Sequence, residues 1–333
     1  MLLAGDIGGT KTQLAIYSID SIPERQQEAI FKSADYPSLE VVAQKFLAET
    51  AVKVTHAVFG VAGPVVNGES KITNLPWHIS ETNLSQTLQL SATSVKLLND
   101  LEALAYAVPH LPSGDITLLN KDQPGPTPGG HKAVIAPGTG LGEAILFHQN
   151  GHYHVLPSEG GHADFGPTNL IQLGLLRFLL DKFSHVSYER VCSGALGIPN
   201  IYAYLKETRS AEESPQVAAA LQASKDSTPV IIQAAMANDC ELCRATLNTF
   251  VSILGAEAGN LALKVMATGG IYLGGGIPPK IISKLKDGTF MAAFVNKGRF
   301  AELLSRIPVY VILNENPGLL GAAYYGKALS VRV

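Results

Sequence analysis

Apolar residues along the chain gather in short runs that end on glycine. Residues 2–7 (Leu-Leu-Ala-Gly-Asp-Ile) lead into Gly8-Gly9-Thr10, and Leu14-Ala15-Ile16-Tyr17 follows. Val134-Ile135-Ala136-Pro137 leads into Gly138-Thr139-Gly140 in the same way, with Ala144-Ile145-Leu146-Phe147 after it. Both read as strand, tight turn, strand. A third run, Gly270-Ile271-Tyr272-Leu273, enters Gly274-Gly275-Gly276 and is followed by residues 278–285, whose pattern predicts a helix. Further strands are predicted at 57–61, 95–98 and 309–313. Helical spacing of Leu39, Val42, Phe46 and Leu47 places a helix between the second and third strands. Helices are also predicted at 101–108, 170–183 and 197–205, over a long stretch from about 230 to 265, and from Asn316-Pro317-Gly318 to near Leu329. Residues 109–132 are crowded with Pro, Gly and polar side chains and read as an exposed loop.

The alternation is that of an α/β protein. A length of 333 residues exceeds the roughly 250–300 residues that one core fills, so two lobes with a cleft are expected. The repeated Gly-Thr hairpins mark where each lobe begins. A smaller lobe is assigned to residues 1–110, with the C-terminal helix 316–333 crossing back to it, and a larger one to 111–315. Hydrophobic residues make up 46% and charged residues 16%, which supports large cores and argues against disorder. A net charge of −3 without a Lys/Arg run disfavours nucleic acid and membrane surfaces as partners. Leu2-Leu3-Ala4 is too short for a secretory segment, and three cysteines, Cys192, Cys240 and Cys243, suit a reducing cytoplasm.

A Gly-Thr turn offers backbone N–H groups with no side chain in the way, so it can cradle a phosphate, and two such turns could grip two phosphates of one nucleotide. Asp6, just before the first turn, would face those phosphates. A carboxylate there needs a cation between, which makes it the candidate Mg²⁺ partner through water. Ordinary hairpin chemistry is the other reading of this turn. Neither turn fits a Walker-type loop, since neither has the G-x-x-x-x-G-K-[ST] spacing or leads into a helix. Asn99-Asp100 ends a strand and starts a helix, and with Glu102 it satisfies a capping box. Asp100 at the strand end is equally placed to be a general base for phosphoryl transfer, and both readings can hold together. Glu159-Gly160-Gly161-His162-Ala163-Asp164 puts two carboxylates and an imidazole on a glycine-rich loop suited to a polyhydroxylated ligand. A metal site of Glu159, His162 and Asp164, or a structural His162, are the alternatives. Cys240 and Cys243 form a C-x-x-C inside a helical pattern and read as buried thiols.

Taken together, Gly5-Asp6-Ile7-Gly8-Gly9-Thr10, Leu98-Asn99-Asp100, Gly138-Thr139-Gly140-Leu141-Gly142, Glu159–Phe165, Glu189-Arg190 with Ser193-Gly194, Gly274-Gly275-Gly276-Ile277 and Asn316–Gly321 make the chain resemble the bacterial-type glucokinase family of the actin-like ATPase superfamily. The resemblance runs from end to end. It implies a two-lobed actin-like (ribonuclease H-like) fold with a duplicated core and an interdomain cleft, and ATP-dependent, Mg²⁺-requiring phosphorylation of glucose at its 6-hydroxyl. By that resemblance Asn99, Asp100, Glu159, His162 and Glu189 hold the sugar, and Asp100 is the base. Glu189 gains its role only this way. Gly5–Thr10 (Gly5, Asp6, Ile7, Gly8, Gly9, Thr10) and Gly138, Thr139 and Gly140 would meet the phosphates, with Gly275 and Gly276 near the adenosine. Leu101 and Pro137 depart from the phenylalanine and alanine of many relatives. The zinc-binding cysteine cluster of the related repressor/kinase group is absent from the sequence, so no structural zinc is expected. A homodimer is a family-level expectation. Kinase action on mannose, fructose or an N-acetylated hexosamine, and a non-catalytic sugar sensor, are the competing functions.

Overall fold

The structure is a computed structural model that describes residues 1–72, 75–121 and 123–331. Asp122 of the expected loop and the last two residues of the expected C-terminal segment lie outside the described residues. The chain divides into two compact units, Met1–Pro112 with Asn314–Val333, and Ser113–Leu313.

In the first unit, β1 (Leu2–Ile7), β2 (Lys11–Ser18), β3 (Glu24–Lys32), β4 (His56–Val61) and β7 (Val95–Asn99) form one sheet in the order β3-β2-β1-β4-β7, and a small hairpin joins β5 (Glu69–Lys71) to β6 (His78–Ser80). The β1–β2 and β2–β3 pairs are antiparallel, whereas β1–β4 and β4–β7 are parallel. Strand alternation sends Leu3 and Ile7 to one face with Leu14, Ile16, Phe59 and Val61, under the helix Leu39–Thr50. Leu2 and Ala4 go to the other face with Val58, Leu98, Ala103, Leu319 and Ala322, covered by the helices Asp100–Ala107 and Pro317–Ser330.

In the second unit, β8 (Ile116–Leu118), β9 (Lys132–Pro137), β10 (Leu141–Gln149), β11 (His152–Ser158), β12 (Gly270–Leu273) and β13 (Val309–Ile312) are ordered β11-β10-β9-β12-β13-β8. Its first five strands repeat the first unit's plan, an antiparallel three-strand meander followed by two parallel strands. This is the duplicated α/β core expected from the twin hairpins. The 25-residue helix Glu241–Val265 fills the core with Phe250, Val251, Leu254, Ala258 and Leu261.

Three elements differ from the sequence expectation. The stretch 230–265 is two helices, Ser227–Ala237 and Glu241–Val265, because Asn238 takes a left-handed φ of 64° and Cys240 caps the second by accepting the Cys243 N–H on its Sγ. Cys240 therefore sits at a helix boundary rather than inside a helix. After the third glycine turn come only a 3₁₀ turn, Pro278–Ile281, and a single helical turn, Ile282–Leu285. The loop after residue 109 contains β8, which pairs with β13.

Gly321 sits where the helices Pro317–Ser330 and Asp100–Ala107 cross. A Cβ there would lie 1.7 Å from the carbonyl oxygen of Ala103 and 2.9 Å from the nitrogen of Ala107. Gly321→Ala is expected to cost about 1–3 kcal/mol or more, since the clash is with backbone that cannot yield by rotamer change. Gly114→Ala, which meets nothing within 4 Å, is the control. Urea midpoints of the two variants check this.

Candidate active site

The first unit carries a carboxylate pair beside a glycine turn. The turn closes through the Gly8 N–H to the Lys11 carbonyl at 2.9 Å. Its own carbonyls are drawn inward by Ser33, whose hydroxyl donates to Gly8 O at 2.9 Å and whose N–H donates to Thr10 O at 3.1 Å. An anion cradle needs carbonyls turned away in this manner. Asp6 pairs with Gln13 on β2 and Gly60 on β4. Burial, then the charge of Asp100, pushes its carboxyl up from 3.8 to about 6, against the pull of Lys11. A Cβ on Gly318 would lie 3.6 Å from the Asp6 carboxyl carbon, so the start of the C-terminal helix closes over it.

β7 delivers Asn99 to the N-cap of the helix Asp100–Ala107. Its Oδ1 accepts the N–H groups of Leu101 at 3.0 Å and Glu102 at 3.4 Å, and its Nδ2 donates to Gly63 O at 3.1 Å. The Glu102 carboxyl is hydrogen bonded to the Asn99 backbone in return, which completes the capping box, and burial raises its pKa. Asp100 is exposed, with one carboxylate oxygen accepting the Leu101 N–H at 2.9 Å. Capping and presentation of Asp100 thus coexist.

The second unit carries the second turn, closed by the Gly138 N–H to Gly140 O at 2.9 Å. Behind it, Gly194 and Ala195 donate to the carbonyls of Gly138 and Thr139 at 2.7 and 3.1 Å, again drawing turn carbonyls inward. The third turn rests on the second: Gly274 N–H donates to Ile135 O at 3.0 Å, and at Gly275, with φ of 80°, a Cβ would lie 2.5 Å from Pro137 O. Gly276 is exposed.

Glu159, His162 and Glu189 come together. His162 Nδ1 lies 3.7 Å from Glu189 Oε2, and its Nε2 lies 4.0 Å from Glu159 Oε2. The Glu159 side chain is 86% exposed and that of Glu189 only 23%, so one carboxylate stands in solvent and the other is largely covered. Asp164 does not join them but pairs with His185 at 2.9 Å. The metal alternative of Glu159, His162 and Asp164 is therefore not assembled, and among the described residues no group of three potential metal ligands occurs.

Sequence reasoning missed the buried side of this loop. Glu143 on β10 and Glu257 on the long helix are 2% and 0% exposed. Burial and the charge of Glu257 push the Glu143 carboxyl up to about 7. A Cβ on Gly160 would lie 2.0 Å from Glu143 Oε2. The only signal in the sequence was a charged residue three positions after the second glycine turn, at the start of a strand whose first seven residues are otherwise apolar or glycine.

The Glucokinase family model matches residues 3–329. A curated glucokinase of Nostoc sp. (strain PCC 7120 / SAG 25.82 / UTEX 2576) is 42% identical, over 97% of this chain and 98% of that protein. Among solved structures, a glucokinase from an Antarctic psychrotroph superposes with a TM-score of 0.85 at 32% identity, covering 97% of this chain and 98% of that one. The Balamuthia mandrillaris glucokinase, solved in complex with glucose, has a TM-score of 0.78 at 22% identity, over 98% and 93% of the two chains. The fold is thus that of the two-unit sugar kinases of the actin-like superfamily.

Because folded Asp6 holds its proton more tightly than an unfolded aspartate, its ionisation costs stability above pH 6, and the cost fades as pH falls toward 3.8. Asp6→Asn removes it. The variant is expected to be more stable than the unsubstituted protein at pH 7.5, by up to about 3 kcal/mol, with the advantage gone near pH 4. Urea unfolding at the two pH values measures it.

Proposed function

The chain belongs to the glucokinase family, and on that premise we propose that it transfers the terminal phosphoryl group of ATP to the 6-hydroxyl of glucose, with Asp100 as general base. The observation that carries the reading is Asp100 itself: exposed, first in a helix whose N-terminus favours an ionised carboxylate, and electrostatically coupled to Asp6 in a mostly buried place.

In the proposed step the sugar O6 attacks the γ-phosphorus as its proton passes to a carboxylate oxygen of Asp100. The bond from the γ-phosphorus to the bridging oxygen breaks, and ADP leaves with that oxygen. Phosphoryl transfer of this kind needs aim and charge stabilisation more than covalent help. Glu159, His162 and Glu189 are assigned to the sugar hydroxyls together with Asn99, whose side chain is already fixed by three backbone partners, Leu101, Glu102 and Gly63. A stereoisomer that leaves one of these groups without its hydroxyl loses affinity. Gly5, Ile7 and the N–H groups of Gly8, Gly9 and Thr10, with Gly138, Thr139 and Gly140, are assigned to the phosphates, and Gly275 with Gly276 to the nucleoside end.

Mg²⁺ brought in with ATP would neutralise charge spreading over the phosphate oxygens. Asp6 fits it as the one carboxylate such an ion needs when waters and phosphates supply the rest, because a cation there would offset the burial and repulsion that now raise its pKa. The cytoplasm as the place of the reaction suits three unpaired thiols. No described helix is long and apolar enough to cross a membrane. A homodimer, carried from the resemblance, belongs to the same proposal.

Asp100→Asn is expected to keep glucose binding within a few-fold while kcat falls about 10²–10⁴-fold. Calorimetric glucose titration and a coupled ADP-release assay measure the two separately, and near-normal kcat would overturn the base assignment. Competition of glucose with mannose, fructose and N-acetylglucosamine in the same assay decides the hexose, and absence of ADP release with any of them would favour a sugar sensor.

A further inference from the structure

Beneath the loop that bears Glu159 and His162 lies a polar cluster that the reaction does not use. Its centre is Glu143, paired across the sheet with Ser158 on β11. Ser158 accepts the Gly160 N–H on its hydroxyl at 3.0 Å, and Glu143 Oε2 fills the space that a side chain on Gly160 would need. The loop therefore sits directly on the Glu143 carboxyl. Facing Glu143 is Glu257, fully buried, whose carboxyl pushes the Glu143 carboxyl toward its protonated form. Two carboxyls so placed repel each other unless one carries a proton. The Oε1 atom of each has no hydrogen-bond partner.

The compensating positive charge lies on the Glu257 side, and among the described residues no cation forms an ion pair with Glu143. From the long helix, Lys264 Nζ lies 3.6 Å from Glu257 Oε1, and Asn260 Nδ2 donates to Glu257 Oε2 at 2.8 Å. Lys297 reaches the cluster through Asn260 Oδ1 at 2.6 Å. The segment bearing Glu189 contributes the Tyr188 hydroxyl, which accepts from Asn260 at 3.0 Å and feels the charge of Glu257, and the fully buried Cys192 thiol. Burial and the neighbouring carboxyls push both Tyr188 and Cys192 up, so neither adds a negative charge. One carboxylate is matched by Lys264; a second would be buried without a partner, and such a charge is costly.

We infer that Glu143 and Glu257 are a one-proton carboxyl pair that positions the Gly160–His162 turn, and hence the glucose contacts of Glu159, His162 and Glu189. Glu143 touches no reacting atom; it is a positioning residue. The inference rests on the reading of this loop as the sugar site. Loss of the proton places two like charges under Gly160, separates the carboxyls and displaces the turn, which weakens glucose binding while leaving Asp100 to do its chemistry. The effect appears as pH rises, since the folded pair holds its proton in the acid range and releases it toward alkaline pH.

The test is glucose titration by calorimetry from pH 6 to 8.5, with kcat at saturating glucose measured alongside. In the unsubstituted protein the glucose Kd is expected to rise about tenfold or more across this range. Glu143→Gln, whose amide supplies permanently the hydrogen that the proton supplies, is expected to flatten that rise and leave the pH profile of kcat unaltered. Glu257→Gln, which leaves one ionisable carboxyl in the pair, is expected to flatten it too and stands in if the first variant does not fold. A Kd independent of pH in the unsubstituted protein, or the same rise in both variants, overturns the inference alone. No glucose binding by the unsubstituted protein overturns the sugar-site reading and the inference with it.

Discussion

Burial of the Asp6 carboxyl within reach of the Asp100 charge is the constraint around which the first unit is built. Both arrive at the ends of parallel-sheet strands, Asp6 on β1 and Asp100 just past β7, with β4 between. The sheet register brings Gly60 level with Asp6 and leaves β7 to end at Asn99, so the fold presents the charges as a consequence of strand order. Nothing apolar would require a carboxylate at either place. Their cost is borne by the two packed faces of the sheet, where Leu3, Ile7, Phe59 and Val61 on one side and Leu2, Val58 and Leu98 on the other are all buried.

In the second unit the same economy takes another form. The groups assigned to the sugar are largely exposed, but they stand on a turn whose underside is a buried network from Glu143 through Glu257 and Asn260 to Tyr188. Tyr188 precedes Glu189 in the chain, so the network holds both edges of the cluster at once. Polar groups buried in this way are costly unless matched, and matching restricts them to one geometry. Rigidity under an exposed ligand set lowers the ordering cost of binding.

Much of this was legible in the sequence. The cores of β1, β2, β4, β9, β12 and β13 announce themselves as apolar runs because each is buried on both faces. β3 did not, since of its nine residues only Phe31 is buried and the rest form a mostly polar edge; β11 is hidden for the same reason, with Val155 its one buried residue. The break between the helices at Asn238 carries no Gly or Pro, and only its left-handed backbone reveals it. For the site, Asp6, Asn99 and Asp100 follow from strand ends and capping chemistry. The approach of His162 to Glu189 does not, because it depends on how the segment after β11 folds back on β10. Spacing could not reach it, and resemblance could. The Glu143–Glu257 contact joins a strand to a distant helix and left only an out-of-place charge as its trace.

The seating of the third glycine turn on the second has a consequence for recognition. Gly274 is bonded to the strand that enters the second turn, and Gly275 lies against Pro137, the last residue of that strand. The joint is made wholly of main chain, so the span from one turn to the other is set by peptide geometry and is indifferent to side-chain rotamers. For a ligand that spans both turns, as proposed, the second unit would thus act as a fixed ruler, against which its length rather than its decoration is measured.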